Sequence, residues 1–381
     1  MIVTTHPIQY FAPLYREIAK EPNLEVKVIF ASGSSATAQF DAGFGESFRW
    51  DIPLTDGYQH AFLDQAPTGG RFGWILRLFE HFRGFNPDFV MVSGYATRSE
   101  LVTILYSVLL RKRILFRPEA TDDTPFPPRP LIKGLLREVF IGILYKSIHA
   151  ALAIGTSART HFLQRGVAAE RIFWSPYSAD VSQNQAMLSS KSDAKHNLGI
   201  DPSKFTLLFC GKLIDRKDPR TLIESLKLYA APQRVCILIV GSGPNLAELQ
   251  KLASANSNCE IRFCGFKNQT ELPAYYAASD AIVLPSRFET WGLVINEAMA
   301  FGCIPIVSNN VGCRHDLVAT LSNNLIFPVG NARELANAIE FAAIDSQRMH
   351  VLQEESKKTV QGFSFRSSIQ GILNAIRAGM A

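Results

Sequence analysis

Pro285-Ser286-Arg287-Phe288-Glu289-Thr290-Trp291-Gly292-Leu293-Val294-Ile295-Asn296-Glu297-Ala298-Met299-Ala300 carries the pattern on which the architecture of this chain turns. The apolar run 281–284 before it reads as a strand, the Pro, Ser and Gly residues mark a loop, and the Ala-rich run from near Gly292 reads as a helix. Strand, loop and helix in that order form the repeating unit of a parallel α/β sheet. At the start of such a helix the first backbone N–H groups have no internal partner and carry the positive end of the helix dipole. They suit a phosphate or a developing anion. Glu289 precedes this terminus and Glu297 lies inside the helix, both within reach of the hydroxyls of a ligand seated there. A hydrolase pair is a competing reading, but eight helical residues rise ~12 Å, whereas a retaining pair sits ~5 Å apart. A helix that keeps acids near its start for dipole reasons alone is the other.

The run 206–210 reads as a second strand and leads into Gly211-Lys212-Leu213-Ile214-Asp215-Arg216-Lys217-Asp218-Pro219. Glycine allows a tight turn at the strand end, and three cations follow within one loop. Lys and Arg at the carboxyl end of a parallel strand suit a diphosphate. A solvated basic turn is the plainer alternative, less attractive beside a helix terminus of the same half.

Outward from these two loops, short apolar runs alternate with helical patterns along the whole chain. In the first half 2–5, 25–31, 89–93, 114–117 and 151–154 read as strands, separated by helical patterns at 12–20, 71–82 and 98–110. The segment Pro125-Phe126-Pro127-Pro128-Arg129-Pro130 fits neither helix nor central strand and reads as a stiff loop. A polar crossover covers about 178–201. A second alternation then runs through 206–210, 235–240, 260–264, 281–284 and 304–308, and 363–380 closes the chain as a helix. The expected fold class is α/β. One Rossmann-like domain spans 1–185, with the terminal helix 363–381 packing back on it, and a second spans 186–362.

At 381 residues the chain exceeds the ~250–300 at which one core stops growing, which also calls for two domains. No run reaches the ~18–20 apolar residues of a membrane span; 101–110 is too short and carries Thr103, Tyr106 and Ser107. The start Met1-Ile2-Val3-Thr4-Thr5 reads as a strand and not as a signal peptide. The six cysteines, Cys210, Cys236, Cys259, Cys264, Cys303 and Cys313, form no C-x-x-C pair and are expected to be reduced thiols, three of them in or beside apolar runs. A net charge of +5 is too mild to suggest nucleic acid. The cations are uneven, however: Arg111, Lys112, Arg113, Arg117, Arg129, Lys133, Arg137 and Lys146 fall in one stretch. Within it 131–152 reads as an apolar helix with basic positions. A core helix with solvated basic ends is the favoured reading, and a helix lying on an anionic membrane surface the other.

Several chemistries lack their signatures. Gly241-Ser242-Gly243 is followed by Leu246 and so is no G-x-G-x-x-G; there is no Walker A loop, no D-x-D, no H-x-x-x-H and no G-x-S-x-G. Hydride transfer, nucleotide hydrolysis, zinc proteolysis and α/β-hydrolase chemistry therefore have no support.

Taken in order, Gly211-Lys212-Leu213 with Lys217, Val240-Gly241-Ser242-Gly243-Pro244, Gly265-Phe266, 275–280, and Glu289 with Glu297 resemble the GT4 family of glycosyltransferases. The likeness continues through Gly302-Cys303-Ile304-Pro305-Ile306-Val307-Ser308 and 312–316, covering about 205–335. In the first half only Gly155-Thr156-Ser157, Gly166-Val167 and Pro176-Tyr177-Ser178-Ala179-Asp180 look like the family's inter-domain region. The resemblance implies a GT-B fold, two doubly wound parallel-sheet domains facing a central cleft, and retaining transfer from a nucleotide-diphosphate sugar. By the same resemblance Lys212 and Lys217 grip the donor diphosphate, with Gly211, Arg216 and Gly241 beside them. Amides around Thr290, Trp291, Gly292 and Leu293 face the sugar and phosphates, Glu289 binds sugar hydroxyls, Glu297 the ribose, and Phe266 lies beside the base.

The chain departs from the family pattern in three places. Lys212 stands where Arg is common, keeping the charge without the bidentate fork. The loop after the first strand is His6-Pro7-Ile8-Gln9-Tyr10-Phe11 and not a Gly-rich turn, which makes His6, Gln9 and Tyr10 candidates for the acceptor pocket. Arg117-Pro118-Glu119, followed by Asp122 and Asp123, occupies the place of the family's His or Asp, so Glu119 is the candidate for organising acceptor or active site.

The expected enzyme is thus a metal-independent hexosyltransferase or related transferase with no cofactor beyond its donor substrate, UDP-linked on base rate. Lys212, Lys217 and the helix terminus would stabilise the departing diphosphate, with Glu289 and Glu119 as further catalytic candidates. The acceptor would be a glycan, a lipid-linked sugar or another hydroxyl compound, as in cell-surface polysaccharide or glycolipid synthesis. The place would be the cytoplasm, with peripheral contact at the inner membrane face. A non-catalytic nucleotide-sugar-binding subunit, a phosphorylase and an epimerase are the alternative readings.

Overall fold

The computed structural model describes residues 1–33, 39–64, 73–122, 131–179, 190–231, 234–255, 259–343 and 345–380. The Pro-rich segment 125–130, Asp123, Asp180 and residues 181–189 of the polar crossover lie outside the described residues, as does the side chain of Lys133.

Strands run from the amino end as β1 (Ile2–Thr4), β2 (Lys27–Phe30), β3 (Gln39–Asp41), β4 (Glu46–Phe48), β5 (Gln59–Phe62), β6 (Phe89–Val92), β7 (Arg113–Phe116), β8 (Ala150–Ala153) and β9 (Ile172–Trp174). Seven of them form one parallel sheet in the order β5-β2-β1-β6-β7-β8-β9, and β3 pairs antiparallel with β4 as a separate hairpin. One face of this sheet is covered by Leu78 and Phe82, Ile104, Ile141 and Leu144, and Phe162, from four successive helices. The other face carries Leu14, Tyr15 and Ile18 of the helix Ala12–Ile18, and Ile369, Ile372, Ala375 and Ile376 of the helix Phe365–Met380. The last helix therefore clads the sheet in which the chain began.

The second sheet contains β10 (Phe205–Cys210), β11 (Val235–Val240), β12 (Glu260–Gly265), β13 (Ala281–Leu284), β14 (Ile304–Ser308) and β15 (Ile326–Phe327), in the order β12-β11-β10-β13-β14-β15, again all parallel. Val235–Val240 is buried at every position, as expected of a strand covered on both faces. Strand order reverses between β1 and β6 in the first sheet and between β10 and β13 in the second. Open α/β sheets hold their ligands at the carboxyl ends beside such reversals. Two sheets of this kind facing one cleft make the GT-B architecture that the resemblance implies.

The ten strands read in the sequence are all present, their ends shifted by a residue or two. Strands β5, β9, β15 and the hairpin were not anticipated. β5 is the polar edge strand Gln-His-Ala-Phe, and β9 and β15 are only three and two residues long. The helix expected over 131–152 ends instead at Ser147. The His149 amide donates to the Ile114 carbonyl at 2.8 Å, and β8 begins at Ala150. Uniformly apolar sequence does not distinguish a buried helix from a buried strand. The favoured picture of that helix, a core element with wet basic ends, also needs correction. Ile141, Leu144 and Tyr145 face the sheet, but Ile132 (75% exposed), Leu135 (68%), Leu136, Val139 and Ile143 face solvent. All six cysteines are free thiols; Cys236, Cys303 and Cys313 are buried, whereas Cys210, Cys259 and Cys264 are half-buried.

Candidate functional site

A cavity of about 430 Å³ lies between the carboxyl ends of the two sheets and draws its walls from both. On the second sheet, the Gly211 amide donates to the Val240 carbonyl at 3.0 Å and the Gly241 amide to the Gly265 carbonyl at 2.8 Å, lacing three strand ends together. A Cβ on Gly241 would lie 1.9 Å from the Gly211 carbonyl oxygen, and its φ of 139° is one that side chains rarely adopt, so only glycine fits. From this edge the loop 211–218 brings Lys212, Arg216 and Lys217 to the cavity, pinned beneath by the buried Leu213. Arg216 donates to the Phe288 carbonyl at 3.3 Å, tying this loop to the one after β13.

That second loop ends at Gly292, whose left-handed φ of 101° turns the chain into the helix Leu293–Ala300. Among the described residues no side chain caps the helix, and Gly292, Leu293 and Val294 line the cavity. The terminus read from the sequence is thus open toward the cavity. Glu289 and Lys217 form a largely buried ion pair at its edge. Glu297 lies deeper, where it accepts from the Tyr276 hydroxyl at 2.6 Å; burial raises its pKa to about 7, against the opposing effect of that hydrogen bond. Thr290 donates its hydroxyl to Glu119 at 2.7 Å. The Trp291 side chain turns away from the opening: its indole N–H donates to Asn296 at 2.9 Å and its ring fills the space beside Gly155, where a Cβ would meet it at 2.2 Å.

The first sheet contributes the loop after β1, with His6, Gln9 and Tyr10, and the segment after β7, with Glu119. Glu119 also accepts from Tyr177 at 2.8 Å, so one carboxylate joins elements of both halves. Behind it the buried Arg117 donates to Ser175 Oγ, to the carbonyls of Ser175 and Pro176, each at 3.1 Å, and to Ser368 Oγ at 3.2 Å. Among the described residues no carboxylate neutralises this guanidinium at hydrogen-bond range, and burial lowers its pKa. Across the cleft Asp316 accepts from the Thr156 amide at 3.1 Å and its hydroxyl at 2.5 Å, so the second half caps a helix of the first.

Every sequence-derived candidate, Gly211, Lys212, Arg216, Lys217, Gly241, Phe266, Glu289, Thr290, Trp291, Gly292, Leu293, Glu297, His6, Gln9, Tyr10 and Glu119, lines this one cavity. Sequence reasoning missed Asp41, Phe44, Phe48 and Trp50, which line it from the hairpin side. Gly43 and Gly45, in a short stretch flanked by Phe40 and by Phe48 and Trp50, were the available signal for a turn between two short strands. Lys212 donates to both carboxylate oxygens of Asp41 at 2.8 Å. Among the described residues, no group of three or more His, Cys, Asp or Glu could hold a metal ion. The arrangement offers cations and an uncapped helix terminus for an anion, with carboxylates for hydroxyl groups beside them.

Residues 190–359 match the family model for glycosyl transferases group 1. D-inositol 3-phosphate glycosyltransferase of Rhodococcus opacus (strain B4) is 27% identical over 193 residues, 48% of this chain and 43% of that protein. Alpha-D-kanosaminyltransferase of Streptomyces kanamyceticus is 26% identical over 195 residues, 50% of each. The chain thus spans about half the length of the curated relatives it matches. Among solved structures, Anabaena HepE in complex with UDP and glucose superposes with a TM-score of 0.72 at 18% identity, covering 99% of this chain and 98% of that one. Sucrose-phosphate synthase from Thermosynechococcus elongatus gives 0.70 at 18% identity, over 100% and 98%. WaaG, a glycosyltransferase involved in lipopolysaccharide biosynthesis, gives 0.66 at 14%, over 98% of each chain. At these identities the likeness is one of fold.

Proposed function

We propose that this chain, whose residues 190–359 carry a group 1 glycosyltransferase domain, moves a sugar from a nucleotide-diphosphate sugar to an acceptor hydroxyl with retention of configuration. The observation that carries the reading is the convergence on one cavity of Lys212, Lys217, the uncapped terminus at Gly292–Leu293 and the two carboxylates Glu289 and Glu297. The barrier in such a transfer is departure of an anionic diphosphate from an oxocarbenium-like centre. Lys212, Lys217 and the amides of the helix start stabilise that charge as it develops, in fixed positions and without a metal. Glu289 holds sugar hydroxyls, Glu297 the ribose, and a diphosphate oxygen takes the acceptor proton on the face it has just left. His6, Gln9, Tyr10 and Glu119 face this centre from the other domain and receive the acceptor. A UDP-linked donor is favoured by the UDP found in the HepE complex.

We place the work at the cytoplasmic membrane face, on acceptors of cell-surface glycan or glycolipid synthesis. No helix among the described residues is long and apolar enough to cross a membrane. Support for peripheral contact comes from neighbouring helices on one face of the first sheet: Leu101, Leu105, Val108 and Leu109 are exposed beside Ile132, Leu135, Leu136, Val139 and Ile143. Arg111, Lys112, Arg113 and Lys146 stand at their ends, matching an anionic lipid surface.

A panel of UDP- and GDP-sugars, incubated with hydroxyl acceptors and chelator, tests the reading through nucleoside diphosphate release and product analysis. Donor isomerisation, or transfer to phosphate in place of a hydroxyl, would replace it with an epimerase or phosphorylase. Co-sedimentation with anionic and neutral phospholipid vesicles tests the membrane face, and equal recovery with both removes it.

A further inference from the structure

Residues 41–51 leave the edge of the first sheet, yet Asp41, the Arg49 carbonyl and Asp51 are engaged by the second domain. Asn268 donates its side-chain amide to the Arg49 carbonyl at 2.7 Å, and the Asp51 amide donates back to Asn268 Oδ1 at 3.3 Å. The Thr270 amide donates to the Asp51 carboxylate at 3.2 Å. These bonds lay the hairpin over the end of β12, where its rings meet Phe266. The Phe48 ring centre lies 4.5 Å from that of Phe266 with the planes tilted by 34°, and Phe44 stands edge-on to Phe266 at 4.9 Å. Trp50 packs edge-on against Phe48 at 4.9 Å. Lys212 stands beside them, its ammonium 5.0 Å from the centre of the Phe44 ring.

One end of the cavity is therefore aromatic and the adjoining end cationic. A ligand that satisfies both carries clustered negative charge next to a planar heterocycle; pyrophosphate would leave the aromatic wall unused, and a free sugar the cationic end. From this juxtaposition we infer that Phe44, Phe48 and Trp50 recognise the base of the donor from the acceptor-side domain, while Asp41 holds Lys212 until the diphosphate replaces it. The inference rests on the donor-site reading above and adds to it a recognition element outside the group 1 domain. Planar bases favour aromatic faces whatever their identity, so the wall selects a nucleoside over a bare phosphate rather than one base over another. Asp41 is anionic at neutral pH: burial disfavours its charge, but the Lys212 hydrogen bond and the Phe44 and Gly43 amides outweigh that and hold its pKa below the usual value. Binding then exchanges one anion for another on the same ammonium.

Calorimetric titration of the full chain with UDP, GDP and pyrophosphate separates the two ends of the cavity. Phe48→Leu keeps the apolar bulk and should weaken both nucleotides about tenfold while leaving pyrophosphate within about twofold; Phe48→Trp should restore nucleotide affinity. Asp41→Asn should tighten all three ligands by up to about fivefold, as expected when a half-exposed ion pair no longer competes. Glu46→Gln, which removes a charge from the same hairpin without touching Lys212, should change none of them. Equal nucleotide affinity in wild type and Phe48→Leu overturns the wall, and unchanged or weaker affinities in Asp41→Asn overturn the exchange. A wild type that binds pyrophosphate but neither nucleotide also overturns the wall. If wild type binds none of the three, the donor site itself is wrong and the inference falls with it.

Discussion

The Tyr276 hydroxyl stands 2.6 Å from a carboxylate oxygen of Glu297, and both side chains are buried in the cavity wall. Burial raises the Glu297 carboxyl from its ordinary 4.5 to about 7. The folded state therefore holds a proton that the unfolded chain has released between these two values, and stability falls as pH rises through that window. Thermal unfolding of wild type and Glu297→Gln from pH 4 to 8 should show the wild-type midpoint falling relative to the variant. In the same interval the wild type should bind nucleoside diphosphate more tightly as pH rises, because the anion accepts ribose hydroxyls. Parallel curves for the two proteins would remove Glu297 as the titrating group.

Lys217 and Glu289 are paired at the edge of the open helix terminus. Lys217→Ala and Glu289→Ala should each lower sugar transfer by roughly 10²–10³-fold, the scale of losing one preorganised contact to developing charge. Circular dichroism should report an unchanged fold. Turnover at the wild-type rate in both variants would sink the catalytic assignment.

Gly155 has extended backbone that any residue adopts, so its size and not its conformation is what matters. A methyl group there would press on Trp291, which is buried between the halves. Gly155→Ala should spread the cleft and cost roughly tenfold or more in turnover, since displacements of about 1 Å are costly to reacting geometry. Small-angle scattering should show a larger radius of gyration. Trp291→Phe in the same background should recover part of the loss; no change in either measurement rejects the wedge.

Arg117→Ala would strip a charged donor from the buried Ser175 and Pro176 carbonyls and from the Ser175 and Ser368 hydroxyls at once. The expected loss is about 3 kcal/mol in urea unfolding of the first domain. Arg117→Lys should recover little, because an ammonium cannot span the same acceptors. A midpoint unchanged in Arg117→Ala would show that water satisfies these groups equally well.

Much of the site is local in sequence, which is why it is legible there. Gly211 to Lys217 follows one strand and Glu289 to Glu297 follows another, and strand ends of a parallel sheet converge by topology alone. The hairpin is different in kind. Asp41 meets Lys212, and Arg49 and Asp51 meet Asn268 and Thr270, across separations that no periodicity encodes. β5 was hidden because an edge strand with polar residues alternates too weakly to be recognised. The inward turn of Trp291 was hidden because its hydrogen-bond partner, Asn296, sits one helical turn onward, where a polar residue reads as surface. The outward apolar side of the helix Leu131–Ser147 was hidden by uniform hydrophobicity, which says nothing about which face meets the sheet.

The return of the helix Phe365–Met380 to the first sheet has a mechanical consequence. The chain passes between the domains twice, and the described residues where the first passage starts adjoin those where the second ends: Ser175 Oγ lies 3.0 Å from Ser368 Oγ, and the Trp174 and Phe363 ring centres are 5.9 Å apart. A single tether would let one body swivel on the other in any direction. Two adjoining attachments restrict how one half can turn on the other, because any twist must shear the contacts that bind them.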